Sequence, residues 1–425
     1  MSPVVVLMGL LVLAYFGSML VGGRAIRGFG LPSGTEFVLL GIFVGPHFMG
    51  FVTRSGLASF EPLVAFALTW LGLTIGLHYG VVGDRRISKK RLLAGLGLAT
   101  LTLAITGGVT AAVAFVVTPY RGNQLAVLAL GCAAASTETT RHAVRWVTER
   151  YGASGPLSQL VADVSEADDA IPIGALAILA VLVPQSDAVV LPLPAWVLGL
   201  GTVAAGGVIG ATCAALVDIE PRTSQRWGIV LGSLLLAGGI SLRLGLSAVT
   251  TAFVMGIVAS ALASTRAVLA RMVATSERAV MLPSLFLAGA YVSWPSSPAL
   301  VGVVAAGFIA RVLAKLFMAR LLTRGEEAER APRVSLGLGL LPAGVLTMTV
   351  GLACALRFPG PVGDTILALA AVNAAVGEVI GPAMLRRAMK LAGEIPVSAA
   401  MTPLPVPSRV RAQAARRPRV LRGRP

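Results

Sequence analysis

Long apolar stretches separated by short polar connections run through almost the whole sequence, and this pattern leaves few folds open. The hydrocarbon core of a bilayer is about 30 Å thick and is crossed by roughly 20 residues of helix. A backbone exposed to lipid has to satisfy its own hydrogen bonds, so spanning segments of this kind are expected to be helices. The sequence therefore predicts an all-α polytopic membrane protein with about 13 transmembrane helices, at residues 3–22, 31–50, 60–80, 92–118, 123–137, 156–183, 192–216, 227–242, 246–262, 279–294, 298–319, 334–356 and 364–385.

Charged residues make up only 13% of the 425 residues, and the mean hydropathy is +0.84. A soluble domain carries roughly twice that charged fraction, which excludes a soluble catalytic domain as the main part of the chain. The first segment is interpreted as a retained span rather than a signal peptide, because basic residues follow it, at Arg24 and Arg27, instead of preceding it. The cysteines Cys132, Cys213 and Cys354 stand singly in apolar runs, which predicts packed side chains and neither a disulfide nor a metal site.

The basic residues are distributed unevenly between the connections. With the N-terminus outside, the cytoplasmic connections and the C-terminal tail hold 29 Lys and Arg residues, whereas the outer loops hold four, at Arg54, Arg121, Arg243 and Arg357. Cytoplasmic loops of membrane proteins carry such an excess. We therefore predict an integral plasma (inner) membrane protein with its N-terminus outside and its C-terminus in the cytoplasm.

The segment 396–425 is rich in proline and carries seven arginines and no acidic residue. This composition predicts a basic, disordered cytoplasmic tail. Contact with anionic membrane lipid is the favoured role of the tail, and no binding of nucleic acid is expected. The transmembrane domain then covers residues 1–395.

The second and ninth segments begin with similar sequences. Gly30, Leu31, Thr35, Gly41 and Ile42 match Gly245, Leu246, Thr250, Gly256 and Ile257 without a gap. Seven spans separate the two copies, and because this number is odd the copies would enter the membrane from opposite sides. This is the arrangement of transporters built from two inverted-topology repeats, whose site lies near the midplane. We expect repeat one at about 1–185, a linker helix at about 192–216 and repeat two at about 227–390.

Three carboxylates lie within four residues in the sixth segment, at Glu166, Asp168 and Asp169. A charge at this depth costs a few kcal/mol or more, so each one is a functional candidate. On a helix, Ser165, Glu166 and Asp169 share a face, whereas Asp168 points about 100° away. Pro172 lacks an N–H, which predicts a free carbonyl at Asp168.

Two further segments are predicted to be broken helices. The fifth ends in the polar run 135–142 (ASTETTRH), and the twelfth contains Leu341-Pro342-Ala343-Gly344. They occupy matching positions in the two halves, so crossed breaks would direct the dipoles of half-helices at an ion. Oxygen ligands in such breaks suit a hard cation such as Na⁺. His142, beside the first break, is a weaker candidate for a pH sensor.

Two basic residues, Arg311 and Lys315, lie one turn apart inside the eleventh segment. A buried cation requires an anionic partner, and Asp168 and Glu166 are the nearest chemical matches. A Lys–Asp pair that opens when a proton or a cation arrives would couple the two ions.

These features, taken in order, resemble the monovalent cation:proton antiporter-2 family within the sodium/proton exchanger group, over about residues 5–395. The resemblance rests on three stretches: Leu31-Pro32…Glu36…Gly41-Ile42…Gly45-Pro46 in the second span, Asp168-Asp169 in the sixth, and residues 378–394 in the last. It implies a core domain that moves against a dimerisation domain, usually within a homodimer.

The resemblance also implies roles for individual residues. Asp169 would bind the proton and the cation in turn, and Asp168 would be the partner of the basic residue on the eleventh span, with Lys315 preferred to Arg311. Thr137 and Glu138 match a Thr-Asp pair of sodium-binding relatives, and Ser165 matches a position at which some relatives supply a hydroxyl.

The sequence departs from the family pattern at several points. Ala343-Gly344-Val345 stands where Arg-Gly-Glu is frequent, Glu138 is longer than the usual Asp, and His78 stands where Gly-Leu-Glu is common at the end of the third span. No nucleotide-binding domain is expected after the last span, so the potassium-efflux subgroup with its cytoplasmic ligand-gated domain is not a full match. These departures bear on ion choice and stoichiometry.

The sequence thus predicts a secondary cation/proton antiporter that exchanges Na⁺, K⁺ or Li⁺ for protons by elevator-like alternating access, without a cofactor and without enzymatic activity. Two alternatives stay open: a sodium-coupled symporter of an organic anion with related architecture, and a transport-dead membrane scaffold or sensor that acts through the basic tail.

Overall fold

The computed structural model describes residues 8, 9, 12, 34–82, 85–183, 194–322 and 333–396, without the side chains of 195, 318–322 and 333–335. The described part is almost entirely helical, which confirms the prediction of an all-α polytopic fold. A two-residue antiparallel hairpin pairs β1 (Val81–Val82) with β2 (Arg85–Arg86). Most of the predicted first span, with Arg24 and Arg27, and the predicted tail beyond residue 396 lie outside the described residues.

The described helices follow the predicted segments in order, except that two helices, Arg54–Ala58 and Arg141–Tyr151, lie in predicted connections. In the first half they are α1 (Thr35–Val44), α2 (Arg54–Ala58), α3 (Glu61–His78), α4 (Lys89–Val117), α5 (Gly122–Ala134), α6 (Arg141–Tyr151), α7 (Pro156–Ala167) and α8 (Ala170–Leu182). In the second half they are α9 (Ala195–Ile219), α10 (Thr223–Leu244), α11 (Ala248–Leu262), α12 (Arg266–Tyr291), α13 (Pro298–Leu322), α14 (Arg333–Gly339), α15 (Val345–Arg357) and α16 (Pro361–Leu391).

Six of the described helices are long and apolar enough to cross a membrane, and four shorter ones are apolar. Their outer faces carry exposed aliphatic side chains, such as Val116 at 81% and Ile219 at 78%. Exposed apolar side chains at this density are suited to lipid rather than water. The number of 13 spans stays a prediction.

Three predicted segments differ from the helices observed. The segment 156–183 is divided at Asp168 and Asp169, and 334–356 is divided at 340–344. The helix predicted at 279–294 begins at Arg266, because its first turns are amphipathic and contain charged residues that hydropathy alone does not count as part of a span.

Glycines bring α1 and α12 into backbone contact. A methyl group on Gly41 would overlap the carbonyl of Phe286, and one on Gly289 would overlap the carbonyl of Val38. Only a residue without Cβ lets two helices approach so closely.

The same contact occurs between α3 and α11. A methyl group on Gly256 would overlap the backbone of Leu73, and one on Gly76 would overlap the carbonyl of Phe253. Gly256 is the residue that the sequence repeat pairs with Gly41, so each copy of the repeat packs through its matching glycine.

The two contacts have the geometry of an inverted repeat. Positions along α1 and α12 increase together, from Gly34 beside Leu285 to Gly45 beside Ala290, so these two helices are parallel. Three residues, 263–265, join α11 to α12, and so short a connection makes these helices antiparallel. Helices α1 and α11 therefore run in opposite directions, as the sequence repeat predicted.

Replacing Gly289 by Ala is expected to lower the free energy of unfolding by about 1–3 kcal/mol, because the added methyl group overlaps the backbone of α1. Thermal unfolding in detergent would measure the change. Gly302→Ala is the matched control: this glycine lies on the exposed face of α13 with nothing near its Cβ position, so the melting temperature should stay or rise. Equal melting temperatures for wild type and Gly289→Ala would contradict the close packing.

Candidate ion-binding site

Two interrupted helices meet in the middle of the molecule. Residues 135–140 separate α5 from α6, and residues 340–344 separate α14 from α15. The backbone N–H of Thr140 donates to the carbonyl of Pro342 at 3.1 Å, so the two extended segments lie against each other. The structure thus brings together the two breaks that the sequence predicted.

Local chemistry explains why both helices end where they do. The hydroxyls of Ser136 and Thr137 donate to the carbonyls of Cys132 and Ala133 in the last turn of α5, at 2.7 and 2.8 Å, and compete with continuation of the helix. Pro342 cannot donate a backbone hydrogen bond, which favours the second break.

Arg311, which is 1% exposed, binds the carbonyl groups of both breaks. Its Nε donates to the carbonyl of Ser136 at 3.1 Å, and its Nη2 donates to those of Glu138 and Leu341 at 3.1 and 3.0 Å. The carboxyl ends of helices carry unpaired carbonyls and a partial negative charge, which a guanidinium neutralises. A carboxylate partner was predicted for Arg311, but its hydrogen bonds in the described structure go to backbone carbonyls.

Glu138 binds the opposite kind of helix end, the amino end of α15. One carboxylate oxygen accepts hydrogen bonds from the backbone N–H groups of Gly344, at 3.3 Å, and Thr347. A carboxylate at a helix N-terminus satisfies orphan N–H groups and the positive end of the dipole. Glu138, predicted as an ion ligand, is thus engaged as a helix cap.

Lys315, which is fully buried, lies in a cage of three oxygens. Its Nζ is 2.6 Å from the carbonyl of Thr137, 2.6 Å from the hydroxyl of Thr139 and 3.4 Å from Oδ2 of Asp168. The other oxygen of Asp168 is buried without a hydrogen-bond partner in the described residues. Of the two basic residues considered, Lys315 is therefore the one that contacts Asp168.

Asp169 faces a different environment from its neighbour. It lines a cavity of about 20 Å³, together with Glu138, Arg141, His142 and Glu277 and with apolar residues of α3 and α15. A volume of about 10–15 Å³ is enough for one water molecule. The cavity can accordingly hold one water or a small cation beside the carboxylate of Asp169.

An ion-pair cluster borders this cavity. Arg141 lies 3.4 Å from Glu166 and 3.5 Å from Glu277, and His142 lies 3.4 Å from Glu277. Glu166 is therefore paired with Arg141. The predicted pH-sensing role of His142 stays a prediction, with Glu277 as its partner.

Two predicted hydroxyl ligands do not line the cavity. The hydroxyl of Ser165 donates to the carbonyl of Ala162 at 3.0 Å, and that of Thr137 is bonded within α5. The prediction that Pro172 leaves the carbonyl of Asp168 free was wrong. The N–H of Ile171 donates to that carbonyl at 3.3 Å, because the helix tightens at the division between α7 and α8.

Sequence reasoning missed two residues of the site. Glu277 was assigned to a loop because the tenth span was placed at 279–294. Asn373, fully buried on α16, donates to the carbonyl of Ala135 at 3.0 Å and to the hydroxyl of Ser136 at 3.1 Å. A polar amide within the apolar segment 364–385 was the signal that could have identified it.

Comparison with protein families matches residues 11–387 to the sodium/hydrogen exchanger transmembrane family. The chain belongs to this family. The predicted sodium/proton exchanger group is confirmed, and within that group the family is antiporter-1 rather than the antiporter-2 family that the sequence resembled. Its members are transporters, not enzymes, and carry ions as substrates without a cofactor, as predicted. Cation/proton antiport is the activity that the family supports.

Solved structures share the fold. The sodium proton antiporter MjNhaP1 of Methanocaldococcus jannaschii, determined at pH 8, superposes with a TM-score of 0.65 at 16% identity, over 89% of this chain and 98% of that one. A second structure of MjNhaP1, from electron microscopy, gives 0.61 at 17% identity, over 93% and 98%. A comparison with curated proteins finds no match.

Replacing Glu138 by Ala should lower the free energy of unfolding by about 1–2 kcal/mol, because the first N–H groups of α15 lose their acceptor inside the protein. Chemical or thermal unfolding in detergent would measure this loss. Glu149→Ala, at an exposed position on α6, is the control and should change little. Equal effects of the two substitutions would argue against the capping role.

Proposed function

We propose that this chain exchanges Na⁺, or another monovalent cation such as K⁺ or Li⁺, for protons, with the carboxylate of Asp169 binding the two in turn. The observation that carries the proposal is the difference between the two adjacent acids. Asp168 has the ammonium group of Lys315 as its partner, whereas Asp169 faces a cavity of about 20 Å³.

The surroundings of Asp169 favour competition between the two ions. An ionised Asp169 in a cavity that holds about one water is poorly solvated and shares that cavity with Glu138 and Glu277 as well as Arg141, so a proton or a cation stabilises it further. One carboxylate cannot hold both at full strength. Loading with a cation therefore displaces the proton, which is the requirement for obligatory exchange.

Lys315 offers a way to couple a second proton. Its ammonium group competes with an entering cation for Asp168 and for the oxygens of Thr137 and Thr139. In the crossing without the cation, a proton opens the pair by binding to Asp168, and this proton leaves when the cation enters on the other side. Exchange of two protons for one cation would then move net charge across the membrane.

The inverted repeat supports alternating access of the elevator kind. In this proposal the two breaks and α7, α8 and α13 move together against the scaffold of α1, α3, α11 and α12. We further propose a homodimer in the inner membrane, with the N-terminus outside and the C-terminus in the cytoplasm, in agreement with the distribution of basic residues.

Cavity size distinguishes the proposal from its alternatives. A symporter for an organic anion requires room for that anion, whereas the cavity at Asp169 holds about one water. A scaffold acting through the tail would depend on 396–425 and not on the acids of the sixth segment.

Asp169→Asn should abolish cation-dependent dissipation of ΔpH in everted vesicles, because the amide cannot exchange a proton for a cation. The assay should be run with Na⁺, K⁺ and Li⁺ separately, and the melting temperature should confirm that the variant is folded. Glu61→Gln, at the exposed start of α3, is the control and should retain wild-type exchange. Exchange retained by Asp169→Asn would remove this residue from the mechanism.

Lys315→Gln should make the rate of exchange insensitive to membrane potential. Without the ammonium group, Asp168 stays protonated throughout the cycle and its proton is no longer transported. Na⁺/H⁺ exchange in proteoliposomes with an imposed potential would test this, with Lys390→Gln, exposed on α16, as the control. A voltage dependence equal to that of wild type would show that Lys315 does not couple the second proton.

A further inference from the structure

A second cavity, of about 110 Å³, lies where the carboxyl ends of α8, α10 and α15 meet, at the predicted outer end of the protein. Most of its wall is aliphatic and comes from five helices. The wall includes Leu68, Leu176, Leu179, Leu242, Val249 and Leu356. This cavity is separate from the one that contains Asp169, and the proposed exchange does not use it.

One charged side chain, Arg357, lines the cavity. Its Nη2 binds the carbonyl groups of Ala180, of Val183 at 3.2 Å and of Gly245 at 2.9 Å. Ala180 and Val183 lie at the carboxyl end of α8. Gly245 closes α10 in the left-handed conformation, so all three carbonyls are at helix ends.

Another donor of this guanidinium, Nε, is not bound to a carbonyl as Nη2 is. Its Nε is buried and has no hydrogen-bond partner among the described residues, and no carboxylate of that part of the chain lies within ion-pair distance. Leaving a buried donor on a charged group unpaired costs on the order of 1–3 kcal/mol or more. The guanidinium that lines the cavity therefore has no carboxylate to offset its charge among the described residues, and an anion in the cavity would supply one.

We propose that this cavity is a binding site for a small anion with an apolar body, such as an arylsulfonate or a compact branched carboxylate. The acidic group would lie against the guanidinium of Arg357, and the apolar body would fill the space between the leucines. An engineered apolar cavity of about 150 Å³ binds benzene, so this cavity of about 110 Å³ sets a single ring as the upper limit for the apolar body, with the acidic group outside that space beside Arg357. Ligand sites generally combine apolar walls with a few polar groups that fix orientation.

A ligand bound in this cavity would also affect transport. Part of the wall belongs to α8, which moves in the proposed mechanism, and part belongs to α3 and α11, which form the scaffold. A bound anion would hold them together and slow exchange. This consequence rests on the proposed function, whereas binding itself does not.

Benzenesulfonate is a suitable probe because it stays ionised and does not carry protons across membranes. Saturation-transfer NMR on the purified full chain should show saturable binding. Arg357→Gln should weaken it at least tenfold, and so should replacement of the probe by the neutral methyl phenyl sulfone. Arg243→Gln, an exposed arginine in the last turn of α10, is the matched control and should bind as wild type does.

If Arg357→Gln does not fold, a variant that fills the cavity tests the proposal instead. Ala65→Leu places extra atoms in the cavity and keeps Arg357, so binding should fall at least tenfold while the melting temperature confirms the fold. Asp169→Asn should bind the probe normally, which separates this site from the transport proposal. Absence of saturable binding to wild type, or equal binding to wild type and to folded Ala65→Leu or Arg357→Gln, would overturn the proposal.

Discussion

The neutralisation of interrupted helix ends is the constraint on which the rest of the structure depends. A break within the membrane leaves carbonyls and N–H groups without partners where water is scarce. Arg311 binds the carbonyls on both sides of the crossing, and Glu138 of the first break caps α15 of the second. Because each side chain reaches from one element to another, the same contacts that stabilise the ends also hold the breaks together.

Because Arg311 and Glu138 neutralise the helix ends, the acids of the sixth segment are not needed for that purpose. Adjacent positions on a helix point about 100° apart, so Asp168 faces Lys315 while Asp169 faces the small cavity. The polar groups that hold the fold and the carboxylate that we propose to bind ions are therefore different residues. An ion can enter or leave without removing the support of a helix end.

Hydrophobic segments, the two breaks and the sequence repeat were sufficient to predict the class of fold and the meeting of the two breaks. The hydrogen-bond and ion-pair partners of individual side chains were harder to predict. Whether Arg311 binds a carboxylate or backbone carbonyls depends on how the two breaks cross, which no local pattern encodes. Glu277 was missed because the amphipathic start of α12 lowers its hydropathy, and the argument from Pro172 failed because α7 and α8 divide just before it.

The size of the space beside Asp169 has a consequence for how an ion would reach it. Since about 20 Å³ holds roughly one water, a cation has to leave most of its hydration shell before it arrives at the carboxylate. The free energy of dehydration then becomes a selection step at the cavity entrance. Mg²⁺, which loses water reluctantly, would be rejected there by its own hydration, before the charge of the site could attract it.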